Sequence, residues 1–272
     1  MVNGYTTRAE CLIRGLLAVL ALSVAGPSFA LDPALLPSQY VVDNWQIPEG
    51  LPQTSAQAVA RTRDGYLWVG TQEGLARFDG VRFTVYDSGT EPAIPNKDIC
   101  VLQVDSMGRL WIGTRSGIAI YENGRFTSFN RIPELAHAYI RAIVEGSGGR
   151  IWVGTENGLF EVGGGRARVF DASYGLQDSR IRALQEDRNG VLWVGTASGL
   201  QRFDGKRFDT VSLGSGGDIS VTAMLEDNDG TLWMGAGTGA LYHQTAGDHF
   251  DRSRGFPEES KFEVQVMEQH PG

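Results

Sequence analysis

Six residues stand out for what their side chains can do: Asp98, Tyr139, Arg141, Tyr174, Arg180 and Arg182. A guanidinium offers a planar fork of donors that fits a carboxylate or a sulfate. Tyr139 and Tyr174 offer faces on which a sugar ring stacks. Taken singly, the arginines have a plainer use, pairing with Asp98, Asp178 or neighbouring carbonyls. Groups for catalysis are scattered. His137, His243, His249 and His270 recur at no metal-ligand spacing. Cys100 has no activating partner near it in sequence. The acidic runs at 186–187 and 226–229 suit hairpin turns better than calcium loops. The expectation is a ligand-binding surface with no catalytic residue, no metal and no cofactor.

These residues do not fall at random. Tryptophans stand at 68, 111, 152, 193 and 233, at steps of 43, 41, 41 and 40. Thirteen residues before each stands Ser55, Asp98, Tyr139, Arg180 or Ser220. Eleven before stands Gln57, Cys100, Arg141, Arg182 or Thr222. The residue between is apolar each time: Ala56, Ile99, Ile140, Ile181, Val221. The apolar set packs, and the polar set changes from copy to copy, as residues at a channel mouth do.

What positions them is a repeat. RDGYLWVGTQEGLARFDG begins at Arg63 and RNGVLWVGTASGLQRFDG at Arg188, with thirteen of eighteen positions the same. The five tryptophan frames read YLWVGT, RLWIGT, RIWVGT, VLWVGT and TLWMGA. A period of about 40–45 with a tryptophan signature is that of a propeller blade of four strands. Asp-Gly and Asn-Gly pairs supply hairpin turns. No segment shows a helical apolar period. The spacing predicts an all-β propeller of five four-stranded blades, at about 56–87, 99–130, 140–171, 181–211 and 221–251, plus the first strand of a sixth at 262–272. Residues 40–45 read as an orphan outer strand. The ring is expected to be incomplete and the chain a truncated fragment. Trp68, Trp111, Trp152, Trp193 and Trp233 are expected in the repeat core, with the glycine two residues after each leaving room where blades meet.

The repeated D-x-x-G-x-L-W-x-G-T-x-x-G-L, followed by an Asp-Gly and an aromatic, resembles the two-component regulator propeller repeat, over roughly residues 40–272. Copy three has Gly146 in place of the aspartate, and copy five has Ala236 and Ala240 in place of the threonine and leucine. The resemblance implies a periplasmic sensor propeller, joined through a membrane helix to a histidine kinase or another output such as a diguanylate cyclase.

Composition sets the remaining bounds. The chain has 272 residues, 36 of them glycine, and a formal net charge of −8. A sequence pI near 5.1 gives no basic patch for nucleic acid. Arg8 and Arg14 flank an apolar run at 15–26, followed by Ser28-Phe29-Ala30. That reads as a secretory signal peptide, residues 1–30, cleaved after Ala30, with 31–272 as the exported sensor domain. The leading expectation is a periplasmic module that binds a small solute, glycan fragments among them, and passes strain to covalently linked membrane and signalling domains. A secreted propeller enzyme, lyase or glycosidase, and a protein-interaction scaffold are the alternatives.

Overall fold

The structure, a computed structural model, describes residues 45–129, 131–163, 166–213, 219–253, 264 and 267. They belong to one compact unit spanning 44–271. The leader reading at 1–30 lies outside the described residues. So do most of the orphan strand at 40–45 and most of 262–272.

Among the described residues, twenty strands form five antiparallel sheets of four. Blade I holds β1 (Ala58–Arg61), β2 (Leu67–Thr71), β3 (Gly74–Phe78) and β4 (Phe83–Tyr86). Blade II holds β5 (Ile99–Val104), β6 (Leu110–Thr114), β7 (Gly117–Glu122) and β8 (Arg125–Ser128). Blade III holds β9 (Ile140–Glu145), β10 (Ile151–Thr155), β11 (Gly158–Gly163) and β12 (Arg166–Phe170). Blade IV holds β13 (Ile181–Glu186), β14 (Leu192–Thr196), β15 (Leu200–Phe203) and β16 (Phe208–Val211). Blade V holds β17 (Val221–Glu226), β18 (Leu232–Ala236), β19 (Leu241–Ala246) and β20 (His249–Arg252). Each sheet is ordered as the chain runs. The first strands pack in series, β1 on β5, β5 on β9, β9 on β13, β13 on β17. This is a β-propeller. Among the described residues it is incomplete, with no substantial packing of β17 back onto β1.

Each letter of the repeat has a physical job. The threonine ending the tryptophan strand is buried, and its hydroxyl donates across the next turn to a glycine carbonyl. Thr71 reaches Gly74 at 2.9 Å, Thr114 reaches Gly117 at 2.8 Å and Thr155 reaches Gly158 at 2.9 Å. That glycine is required, because its φ is positive: +151° at Gly74, +106° at Gly117 and +141° at Gly158. The aspartate six residues before the tryptophan organises the preceding turn. Oδ1 of Asp187 accepts the N–H groups of Asn189 at 2.9 Å and Val191 at 3.0 Å, and Oδ2 accepts the Trp193 indole at 2.9 Å. Asp105 serves Trp111 in the same way at 2.9 Å, and Asp227 serves Trp233 at 2.8 Å. The indole therefore buries its ring without orphaning its one donor.

The glycine after the tryptophan lets blades touch. A Cβ built on Gly70 would lie 2.7 Å from Ile99 Cγ2, and on Gly113 2.7 Å from Ile140 Cγ2. On Gly154 it would lie 2.5 Å from Ile181 Cγ2, and on Gly195 2.7 Å from Val221 Cγ1. The apolar residue opening each blade thus plugs into the glycine of the blade before. Gly235 meets Val264 in the same manner at 2.5 Å, and Thr222 donates to the Val264 carbonyl at 2.6 Å.

Trp68, Trp111, Trp152 and Trp193 are buried. Trp233 differs from the sequence expectation in being half-buried. It belongs to the last described blade, where a ring partner is His243, 5.2 Å away and 31° inclined.

Candidate functional site

The position eleven residues before each tryptophan proves to be special. In blade II the ladder pairs Ile99 with Thr114 and Val101 with Gly113, skipping Cys100. In blade III it skips Arg141, in blade IV Arg182 and in blade V Thr222. All four are β-bulge residues on the first strand of a blade. A bulge re-aims a side chain out of the ladder. The same irregularity in four successive blades places one variable side chain per blade at the same end of the β5–β9–β13–β17 series. In blade I, Gln57 lies just before β1, with its N–H bonded to the Gly70 carbonyl at 2.8 Å.

Around these bulges the structure gathers most of the residues picked out by sequence. Asp98 lies 3.6 Å from Arg115 and accepts from Gln57 at 3.4 Å. The Tyr139 ring is covered by two guanidinium groups, Arg141 at 4.0 Å and Arg115 at 5.0 Å from its centroid. Arg141 pairs with Glu156 at 2.6 Å. Burial raises the Tyr139 phenol. Burial also pushes the Cys100 thiol up to about 12, with the Asp98 carboxylate acting in the same direction. Cys100 is therefore a neutral thiol at ordinary pH, without the thiolate a nucleophile needs.

Arg180 is occupied. It holds Asp178 through two bonds, of 3.0 and 2.9 Å, and Ser198 donates to the same carboxylate at 2.9 Å. These bonds raise the Arg180 guanidinium and lower the Asp178 carboxyl. Tyr174 is not in this network. Its ring packs against Phe170 at 5.0 Å under the Arg168 guanidinium, beyond the outer strand of blade III.

Arg182 differs. Its Nε is buried without a hydrogen-bond partner, as are those of Arg77 and Arg202, but Arg77 reaches Tyr121 and Arg202 pairs with Asp248, whereas among the described residues Arg182 makes no ion pair. A buried orphan donor is costly and rare. Sequence reasoning had Arg182 in view but could not see the bulge that aims it or the absence of a partner. It passed over Arg115 and Glu156, which sit in the turns after the tryptophan strands. Position alone could have found them, since those turns share the end of the blade on which the first strands begin.

A family described as Two component regulator propeller matches residues 50–73, 134–157, 175–198 and 215–238. Repeats of this family are thus found in four segments of the chain, each carrying one tryptophan frame. Among solved structures it is similar to the extracellular domain assigned to the hybrid two component system BT3049 from B. thetaiotaomicron, at 20% identity and a TM-score of 0.66, over 75% of this chain and 29% of that one. It is also similar to the extracellular domain assigned to the one component system BT4673 from the same organism, at 23% identity and a TM-score of 0.59, over 69% of this chain and 26% of that one. Virginiamycin B lyase from Staphylococcus aureus is a third, at 15% identity and a TM-score of 0.60, over 74% of this chain and 70% of that one. The chain thus spans under a third of the two extracellular domains. At these identities the likeness shows the fold. No curated protein matches the chain. No helix among the described residues is long and apolar enough to cross a membrane.

Proposed function

We propose that this chain is a ligand-sensing propeller module of a membrane-bound signal-transduction protein, working outside the cytoplasm and without catalysis of its own. The observation that carries the reading is Arg182: a bulge residue on a first strand, with a buried Nε–H that has no acceptor among the described residues. A solute with a carboxylate or sulfate would give that guanidinium its missing acceptor. The neighbouring bulge Arg141 and the Tyr139 ring offer a second cation and a stacking face. Glycan fragments bearing acid groups combine both features. The repeat family and the two extracellular domains from B. thetaiotaomicron support the signalling context, in which linked membrane and output domains read the bound state.

The lyase likeness favours a second reading, a secreted propeller enzyme. Against it, burial and the Asp98 carboxylate hold Cys100 as a thiol. A thermal-shift series separates the readings. Glucuronate and a sulfated monosaccharide should raise Tm saturably, glucose should not, and Arg182→Ala should abolish the shift. If no sugar or acidic solute moves Tm, the module is a scaffold.

A further inference from the structure

A different place in the molecule departs from its own repeat. In most blades the third and fourth strands present aromatics to the tryptophan of the blade before. Blade II sets Tyr121 and Phe126 against Trp68, at 4.7 and 6.1 Å between ring centroids. Blade IV sets Phe203 against Trp152 at 5.9 Å, with Phe208 stacked on Phe203 at 4.6 Å. Blade V sets Phe250 against Trp193 at 5.6 Å. Tyr121 pairs in register with Phe126, and Phe203 with Phe208. The corresponding pair in blade III is Val162 and Ala167. Two aromatic rings are missing from the side that faces Trp111.

Phe129 takes up part of the space, 5.4 Å from Trp111, and keeps that indole buried. What remains is a cavity of about 450 Å³ between blades II and III. That volume is in the range of small-molecule sites. Its walls include Ile120, Phe129, Ile132 and Val162, and its rim Arg131 and Arg166. Both rim arginines are exposed, and among the described residues neither makes an ion pair. Glu122 is also on the rim; Arg109 is already paired with Asp105 at 2.6 Å. Two cations unpaired among the described residues thus stand against one carboxylate on this rim, in a chain of net charge −8.

We propose that this cleft binds a small aromatic acid, its ring standing where the other blades place phenylalanine and its carboxylate held by Arg131 and Arg166. The site is separate from the bulge cluster and does not depend on the function proposed above.

The test is 19F NMR of the chain with 4-fluorophenylacetate and with its neutral counterpart, 4-fluorobenzyl alcohol. The acid should broaden saturably, and the alcohol should bind at least ~10-fold more weakly. Ala167→Phe restores the ring of the other blades; it should abolish binding of the acid while holding or raising Tm. Val162→Phe serves as the second filling variant should Ala167→Phe fail to fold. Arg131→Gln with Arg166→Gln should weaken the acid and leave the alcohol unchanged, and Arg182→Ala should change neither. No saturable broadening, equal binding of acid and alcohol, or binding that survives both ring-restoring variants in folded protein would each overturn the proposal.

Discussion

The Trp152 indole donates to Glu186 of the following blade at 3.0 Å, where its counterparts in blades II, IV and V donate to an aspartate of their own blade. The reason is Gly146. It stands where those blades have aspartate, and a Cβ built on it would overlap Glu186 Oε2. The carboxylate that blade III lacks is supplied by its neighbour, which also accepts the Ser147 N–H at 2.6 Å.

This predicts opposite signs for one substitution in two backgrounds. Glu186→Ala alone leaves a buried indole N–H without its acceptor and should cost about 1–3 kcal/mol. Gly146→Asp alone forces a second carboxylate into the space of the first and should also destabilise. Together they should recover much of the loss, because the carboxylate introduced by Gly146→Asp would then do for Trp152 what Asp187 does for Trp193. Chemical denaturation of the four proteins gives the coupling. Additive losses would mean that the indole does not depend on either carboxylate.

The glycine contacts set a second expectation. A Cβ on Gly195 would meet both Val221 Cγ1 at 2.7 Å and the Val221 carbonyl oxygen at 2.9 Å. A side chain can turn away, but a backbone carbonyl cannot without shifting the strand. Gly195→Ala should therefore cost about 1–3 kcal/mol, as overpacking does. Gly205→Ala is a useful contrast. Its φ of +94° strains any side chain, but a Cβ there meets nothing within 4 Å, so the cost should be at the low end of the same scale, about 1 kcal/mol. Equal losses at the two sites would show that blade contact is not what Gly195 protects.

Acid should loosen the tryptophan clamps. Asp105 is buried, and burial by itself would raise its carboxyl; the indole of Trp111 and the N–H groups of Arg109 outweigh this and hold it below the usual carboxylate range. Its folded value is thus lower than its unfolded one, about 3.9. The unfolded chain takes up the proton first as pH falls, so the stabilisation is complete above the unfolded value and is lost as pH drops through the folded one. Asp105→Asn should lower stability at pH 7 and flatten its dependence between about pH 5 and the acid limit. Denaturation midpoints against pH, followed by tryptophan fluorescence, measure both. An unchanged slope in the variant would assign the acid response to other carboxylates.

The fold was legible because the repeat is written in residues with narrow physical roles. A tryptophan needing one acceptor, a threonine closing a turn and a glycine with positive φ leave little choice of structure. The site was legible only as a set of positions. Counting back from Trp152 and Trp193 finds Arg141 and Arg182, but the bulge that removes them from the ladder has no residue signature. The pairing of Arg141 with Glu156 crosses from one strand start to a turn fifteen residues away, and no periodicity reports that. The cleft beside Trp111 had a signal that was easy to miss. Its cause is an absence, the Ala167 that stands where Phe126 and Phe208 mark the same place in blades II and IV.

Cys100 gives the bulge row a chemical reporter. Its thiol is half-buried, its Sγ lies 3.5 Å from the Asp98 carbonyl oxygen, and burial with the Asp98 carboxylate pushes it up to about 12. An unperturbed thiol titrates near about 8.5 and is substantially ionised at about pH 8. Alkylation follows the thiolate fraction, so iodoacetamide at about pH 8 should modify Cys100 at least ~100-fold more slowly than a cysteine in a short peptide, read by mass spectrometry of the peptide that contains it. Asp98→Asn removes the neighbouring negative charge and should speed the reaction, while Arg141→Gln removes a cation that favours the thiolate and should slow it. A solute that fills the bulge cluster should protect Cys100 further without changing its order of response to the two substitutions. Rapid labelling in the folded chain would show an open, ionised thiol and would reverse the argument that this face binds without nucleophilic chemistry.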